Sequence, residues 1–459
     1  MRFLFCTLQF DESGFYGRVG VDLRRRGHEV EHVAFSRRAA RRLGGRCLPD
    51  EIARLGPLDI DAEAARIERT YDTPSLRDVY RTDPPCQGRS ERFCVERTVR
   101  HFVAFERLLD ELRPEIVVPE VGNETMRTVA HLVAMERGLR VFFLFYTMFP
   151  RPLRLYEGTM HAGIVDADDL RELSDAERAE VEAFISEFTA RDAPIRRYRA
   201  ARVTPSKLRD FARHLLVRAL QERDNEYLVP GRYVANYVRE RVRGALSRRW
   251  YEPAPAERPF VYFPLHVVDD YKVKRVIPHC YDQASLIEQV AEALPQGHDL
   301  VLKEHPMSIG RNRLSLLRRL VARENVRLVA PRTSSHELMR RARAVVVISS
   351  TVGLEALLYA RPVLTLGQPF YSGYGVTLDV DSFREIREKV PAVLRFEPDR
   401  ERILRFLGAA MRSCRAGKPV GVDASDANAR TLAASLHDAA TQAPVRRGGE
   451  AAAHAGTGA

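Results

Sequence analysis

Ala344-Val-Val-Val-Ile-Ser-Ser-Thr-Val-Gly-Leu-Glu-Ala-Leu-Leu-Tyr-Ala-Arg-Pro-Val-Leu-Thr-Leu-Gly367 reads as a strand, a hydroxyl-rich turn, a short helix and a second strand. Val345 to Ile348 is continuous and β-branched, the pattern of a parallel strand covered on both faces. Ser349, Ser350 and Thr351 stand where the next helix begins. A helix start offers unpaired N–H groups and the positive end of a dipole, so the turn is suited to a phosphate; the plainer reading is a serine cap. Gly353 allows a close approach, and Glu355 falls in the first helical turn, within reach of a ribose.

Upstream, Asp299-Leu-Val-Leu-Lys-Glu-His-Pro306 reads as a buried strand ending in Lys303, His305 and a proline that stops it. Ligands of open α/β sheets bind at the C-terminal strand ends, so His305 and the serine turn should share one edge. Pro259-Phe-Val-Tyr-Phe-Pro-Leu-His-Val-Val-Asp-Asp270 adds a third strand, ending in His266, Asp269 and Asp270.

The chain has 459 residues, of which 45% are hydrophobic and 29% charged, enough for two domains with their own cores. No run is long and apolar enough for a membrane span, and the first residues turn polar too soon for a signal peptide, so a cytoplasmic location is expected. Six cysteines are scattered without a C-x-x-C pair, which predicts thiols rather than a zinc ribbon or a disulfide framework. The net charge of +11 favours anionic partners, yet no helix-turn-helix, zinc finger or aromatic–basic RNA signature occurs, so nucleic acid is not an expected partner.

From the start, Arg2 to Leu8 reads as a strand, Asp11 to Gly17 as a glycine-containing loop, Arg18 to Arg26 as a helix and Gly27 to Val33 as a turn into a second strand. The full G-x-G-x-x-G pattern is missing, which argues against a dinucleotide. Residues 45–95 read as irregular. Helix and strand alternate again from Glu91 to Tyr146, placing Glu120 and Glu124 near a strand end. Ser174-Asp-Ala-Glu177 is a capping-box start to a charged helical stretch. Within it, Tyr233 to Trp250 is amphipathic and basic, as in a packed helix with a solvated face or one resting on a membrane. The proline-rich Tyr251–Pro259 breaks the pattern. The expected organisation is therefore a Rossmann-like domain over 1–160, a helical segment over 161–250, a linker over 251–258, a nucleotide-sugar-binding domain over 259–440 and a disordered tail over 441–459.

Two parallel-sheet α/β domains facing a cleft, with a charged helical segment between them, describe a GT-B-like arrangement. The set Gly14-Phe-Tyr16, Arg26-Gly-His-Glu-Val30, Arg151-Pro-Leu-Arg-Leu-Tyr-Glu-Gly158, Phe263-Pro-Leu-His266, Lys303-Glu-His-Pro306, Ser349-Ser-Thr-Val-Gly-Leu-Glu-Ala356 and Phe370-Tyr-Ser-Gly-Tyr-Gly-Val-Thr377 resembles the bacterial capsule polysaccharide biosynthesis proteins, whose studied members are β-Kdo transferases using CMP-Kdo. Tyr146 to Pro150 departs from that family's acidic residue and Gly-Tyr before the Arg-Pro. His266 stands where the family has Gln.

The resemblance implies a glycosyltransferase of capsule or surface polysaccharide, moving an acidic, Kdo-like sugar from a CMP-activated donor to a glycan or glycolipid. It implies that His305 stabilises the leaving phosphate, that Ser349, Ser350, Thr351 and Gly353 with Lys303 form the phosphate site, and that Glu355 lies near the ribose or base. Gly14, Tyr16, Arg151, Glu157 and His266 would serve the sugar or acceptor, and the catalytic carboxylate is to be sought among Glu120, Glu124, Asp269 and Asp270. No His, Asp and Glu cluster has metal-ligand spacing, so no metal or cofactor beyond the nucleotide sugar is expected. Peripheral contact with the inner membrane surface or a capsule export complex is a further expectation. The alternatives are a CDP-polyol phosphotransferase or sugar-nucleotide epimerase on the same scaffold, or a binding protein that has lost the chemistry.

Overall fold

In a computed structural model of the protein, the described residues are 1–442 apart from positions 9, 72, 74, 160–168, 192–208, 210, 211, 214, 215, 217–219, 222, 224, 228, 229, 268 and 269. Asp269 and the tail from 443 onward lie outside them. Two six-stranded sheets organise the rest. The first contains β1 (Arg2–Thr7), β2 (Glu29–Ala34), β3 (Arg46–Cys47), β4 (Ile116–Val118), β5 (Arg140–Tyr146) and β6 (Leu153–Glu157), in the order 3-2-1-4-5-6. The second contains β7 (Phe260–Pro264), β8 (Asp299–Lys303), β9 (Val326–Val329), β10 (Ala344–Val347), β11 (Val363–Thr365) and β12 (Leu378–Asp379), in the order 12-11-10-7-8-9. Counted from its own first strand, the second sheet repeats the order of the first. All neighbours are parallel except β5 and β6. Both sheets thus have the Rossmann order, and the chain has the expected GT-B-like architecture.

Continuous apolar strands follow from this burial. Val345 and Val347 point into one core layer with Tyr262, Val301 and Leu354, while Ala344, Val346 and Ile348 point into the opposite layer with Val261, Leu300 and Leu364. In the first sheet, Leu4 and Cys6 face one layer, and Phe3 and Phe5 the other. Fully burying such a side chain contributes roughly 1.5–3 kcal/mol, so a polar residue on either face would weaken the strand. All six cysteines are buried as thiols.

Three readings of the sequence are corrected. The segment 11–17 is not a loop: helix Phe10–Arg25 begins directly after β1, carrying Gly14 and Tyr16 inside it. Residues 45–95 contain helices Leu48–Ala53, Ile60–Thr70 and Leu76–Tyr80, the last two capped by Asp59 and Ser75. Each buries only a few apolar residues, such as Ile67 and Val79, too sparse a stripe to register as periodic. The last helix, Asp426–Thr441, belongs to the first sheet rather than the second: Ala429, Leu432, Ala433 and Leu436 pack against Phe3, Phe5 and Val19. Helix Asp175–Thr189 starts at the expected capping box and lays Val181 and Phe188 on the second domain.

Candidate active site

The order of the second sheet reverses between β7 and β10, the place where ligands of open α/β sheets bind, at the C-terminal strand ends. His266 leaves β7 and the serine turn leaves β10, and the two are joined: His266 Nε2 accepts the Ser349 N–H at 3.0 Å. That bond places the ring proton on Nδ1, 3.8 Å from Asp270 Oδ2. Burial by itself would raise the Asp270 pKa, but the His266 ring and the Lys272 N–H, at 2.9 Å, hold the carboxyl below its ordinary range. His266, predicted to serve the sugar or acceptor, holds the serine turn in place through this bond.

His305 follows β8 and is exposed. Its Nδ1 accepts the Met307 N–H at 3.1 Å, so the neutral ring carries its proton on Nε2 as a donor. Crowding around the ring, then the charge of Lys303, lowers its pKa, while Asp270 opposes them. Lys303 lies behind, buried, with Nζ donating to Ser335 Oγ at 2.7 Å. Burial lowers the Lys303 pKa to about 8 and raises that of Glu355 to about 7, each charge partly offsetting the other's shift.

Ser350 is the N-cap of helix Thr351–Leu358: its hydroxyl accepts the Val352 N–H at 3.2 Å. The serine side chain expected on phosphate is thus used on its own helix, which leaves the exposed Thr351 and the helix dipole at this edge, with Ser349 buried beside them. Gly353 also differs from expectation. A Cβ there would overlap the hydroxyl of Tyr371, which is fully buried and donates to Ser350 O, so the glycine admits a tyrosine rather than a ligand. Asp379 shapes the loop carrying Tyr371, accepting from Thr365 Oγ1 at 2.7 Å, Thr377 Oγ1 at 2.6 Å and the Gly373 N–H at 2.7 Å.

Carboxylates gather at the corresponding edge of the first sheet. Glu120, just past β4, has a left-handed backbone (φ 62°) and a buried side chain whose Oε1 has no hydrogen-bond partner among the described residues. Burial raises its pKa to about 7 against the pull of Arg127, with Glu12 and Glu124 adding to the rise. Arg127 Nη2 donates to Glu12 Oε1 at 3.1 Å, and its Nε is 3.7 Å from Glu124 Oε2. Three carboxylates around one guanidinium favour retention of a proton, and Glu120 is the member pushed toward neutrality. Glu12 and Arg127 are missed by sequence reading: Arg127 lies in the same segment as Glu120 and Glu124, and Glu12 joins them only because β4 lies beside β1.

The two edges meet across the cleft. Arg275, from the Lys272–Val276 turn, donates to Val79 O and, at 3.4 Å, to Asn123 O, while Tyr271 lies 6.1 Å from Phe145 by ring centroids. Beneath them Asp83 Oδ2 accepts from Arg97 Nη1 at 2.8 Å and from the Thr125 N–H at 3.0 Å, anchoring the start of helix Thr125–Glu136. No local motif marks Asp83, Arg97 or Arg275.

Other expected sugar contacts lie elsewhere. Tyr16 is a core residue between Phe5 and Phe15. Gly14 lies against Arg42: a Cβ there would come 2.7 Å from its Nη2. Glu157 pairs with Phe142 near the start of β5, away from the cleft, because β6 runs antiparallel. Its carboxylate receives Arg140 Nε at 2.6 Å and Nη2 at 3.0 Å, and Arg140 also donates to Ala440 O, fastening the last helix. Arg151 stands at the cleft end of β6, with Nη2 donating to Met411 O at 3.0 Å. Among the described residues no three His, Cys, Asp or Glu side chains are grouped to hold a metal ion. No helix among them is long and apolar enough to cross a membrane.

The sequence profile of a family described as "Capsule polysaccharide biosynthesis protein" matches residues 166–400. Protein FixF of Sinorhizobium fredii is 31% identical over 164 residues, 35% of this chain and 39% of FixF. The capsule polysaccharide modification protein LipA of Neisseria meningitidis serogroup B is 27% identical over 124 residues, 27% of this chain and 18% of LipA. The match thus spans about two fifths or less of either relative. Among solved structures, KpsC β-Kdo 2,7 transferase of Thermosulfurimonas dismutans aligns over 70% of this chain and 88% of its own, at 17% identity and a TM-score of 0.33.

Proposed function

This chain belongs to the capsule polysaccharide biosynthesis proteins, and from that premise we propose that it is a glycosyltransferase moving an acidic sugar from a CMP-activated donor to a glycan or glycolipid acceptor. The observation that carries the reading is the set of groups at the switch point of the second sheet. His305 with its Nε2 proton, Ser349 and the start of helix Thr351–Leu358 stand at that edge and would hold a nucleotide phosphate, and the buried carboxylate Glu120 stands at the corresponding edge of the first sheet. As the bond from the anomeric carbon to the phosphate oxygen breaks, its electron pair leaves with CMP. His305 and the helix dipole meet that charge, with the Lys303 ammonium behind them. The acceptor hydroxyl forms the new bond and gives up its proton, and Glu120, poised near neutrality, is the group suited to take it.

Thermal melting with CMP, UDP and GDP tests the donor half. CMP should raise the melting temperature most, corresponding to about 2.7 kcal/mol at a hundredfold over its dissociation constant, and EDTA should leave the shift unchanged. Equal shifts with all three nucleotides would remove the CMP reading. Loss of the shift on chelation, restored by Mg²⁺, would remove the metal-free one.

A further inference from the structure

Helix Pro230–Leu246 touches the body of the protein along one line and turns an apolar line to the outside. On an α-helix each residue advances by about 100°. Glu240, Gly244 and Ser247 share the inner line. A Cβ on Gly244 would come 2.9 Å from Ile309 Cγ2, and Gly310 lies against the backbone of Glu240, so the helix is seated on the Ile309–Gly310 turn. Val234, Val238, Val242 and Leu246 follow one another at intervals of four on the opposite line, and they are 44%, 54%, 53% and 44% exposed. Arginines border this stripe on both sides: Arg239 and Arg243 along one margin, Arg241 and Arg248 along the other. The sole acid between 230 and 250 is Glu240, which faces inward.

We propose that this helix lies on the surface of an anionic lipid bilayer, with the four aliphatic side chains in the acyl boundary and the flanking guanidinium groups at the lipid phosphates. The stripe is too narrow and too bordered by charge for a spanning helix, and the two arginine margins match the way long cationic side chains reach from an apolar bed to the headgroups. A second copy of the same helix would oppose arginine to arginine along both margins. The proposal does not rest on the donor chemistry, and its test needs no nucleotide.

Flotation of the full chain with extruded vesicles decides it, comparing phosphatidylcholine alone with phosphatidylcholine containing roughly one third phosphatidylglycerol. The expected result is at least about tenfold stronger partition to the anionic vesicles, weakened by salt. Val238→Asn with Val242→Asn, and separately Arg239→Gln with Arg243→Gln, should each reduce it about tenfold with melting temperatures unchanged. No flotation, equal flotation on both vesicles, or flotation of both double variants like that of the parent would overturn the proposal. So would a dimer in solution that the valine variant dissociates. If the valine variant unfolds, the arginine variant alone decides.

Discussion

At the scale of single residues, the chemistry turns on groups held away from their ordinary ionisation. Glu120 is the clearest. Its folded pKa of about 7 lies above the 4.5 of a free glutamate, so between those values the folded protein keeps a proton that the unfolded chain has lost. Stability should therefore fall as pH rises from 4.5 to 7 and stay lower above it, by on the order of 3 kcal/mol. Glu120→Gln removes that loss. Chemical denaturation at pH 8 should find the variant more stable than the parent, while turnover drops by roughly a hundredfold or more if the carboxylate takes the acceptor's proton. A variant as active as the parent would exclude Glu120 from the reaction. His305 invites the opposite comparison, since it is exposed and, among the described residues, its hydrogen bond is with the Met307 N–H. His305→Ala should leave the melting temperature within a few degrees but reduce kcat by about a hundredfold, the scale for one positioned donor. A destabilised yet fully active enzyme would move the phosphate site elsewhere.

At the scale of elements, the strand–turn–helix from Ala344 to Leu358 is held from behind by the Phe370–Thr377 loop. Tyr371 occupies the space that a side chain on Gly353 would need, and its hydroxyl donates to the carbonyl that starts the helix. Gly353→Ala should cost about 1–3 kcal/mol through overpacking, and much of that should return in Gly353→Ala with Tyr371→Phe, which removes the hydroxyl. A double-mutant cycle by urea unfolding measures the coupling; purely additive losses would show that the glycine is required for another reason. The strands of the second domain are legible in the chain because parallel strands covered on both faces must be apolar throughout, and Val345 to Ile348 can be little else. The short helices of residues 45–95 are not legible, because each buries a few side chains under a larger neighbour, helix Glu91–Leu112, and has little period of its own.

At the scale of the whole molecule, the last helix ties the end of the chain back to its beginning. His28 Nε2 and His437 Nδ1 lie 2.8 Å apart, a bond that survives only while one of the two nitrogens lacks a proton. Burial, then the N-terminal ammonium and His437, lowers the His28 pKa. Four residues on, within β2, burial and then Arg24 lower that of His32 to about 4. His28 and His32 are thus harder to protonate in the folded chain than in the unfolded one, where a histidine titrates near 6.5. The contribution of His32 is complete above 6.5 and is lost as pH falls toward 4, by about 3 kcal/mol, and that of His28 is lost in the same direction. The melting temperature should decline from pH 7 to pH 5, and His32→Gln should flatten that decline; an unchanged slope would assign the acid sensitivity to other groups.

The sequence by itself determined the two α/β halves, the break near Tyr251–Pro259 and the strand ends bearing His266, Lys303, His305 and Ser349, because apolar runs, turn residues and proline act over a few neighbours. Tertiary structure alone decided what those side chains do. Packing turns His266 onto the Ser349 amide, gives Gly353 to Tyr371 and binds Glu157 to Arg140 at the far end of its strand. It also assembles Glu12, Glu120, Glu124 and Arg127 from two crossovers and returns helix Asp426–Thr441 to the first sheet. Their partners lie up to several hundred residues away, and a contact at that separation is set by which elements pack together, which no local pattern encodes.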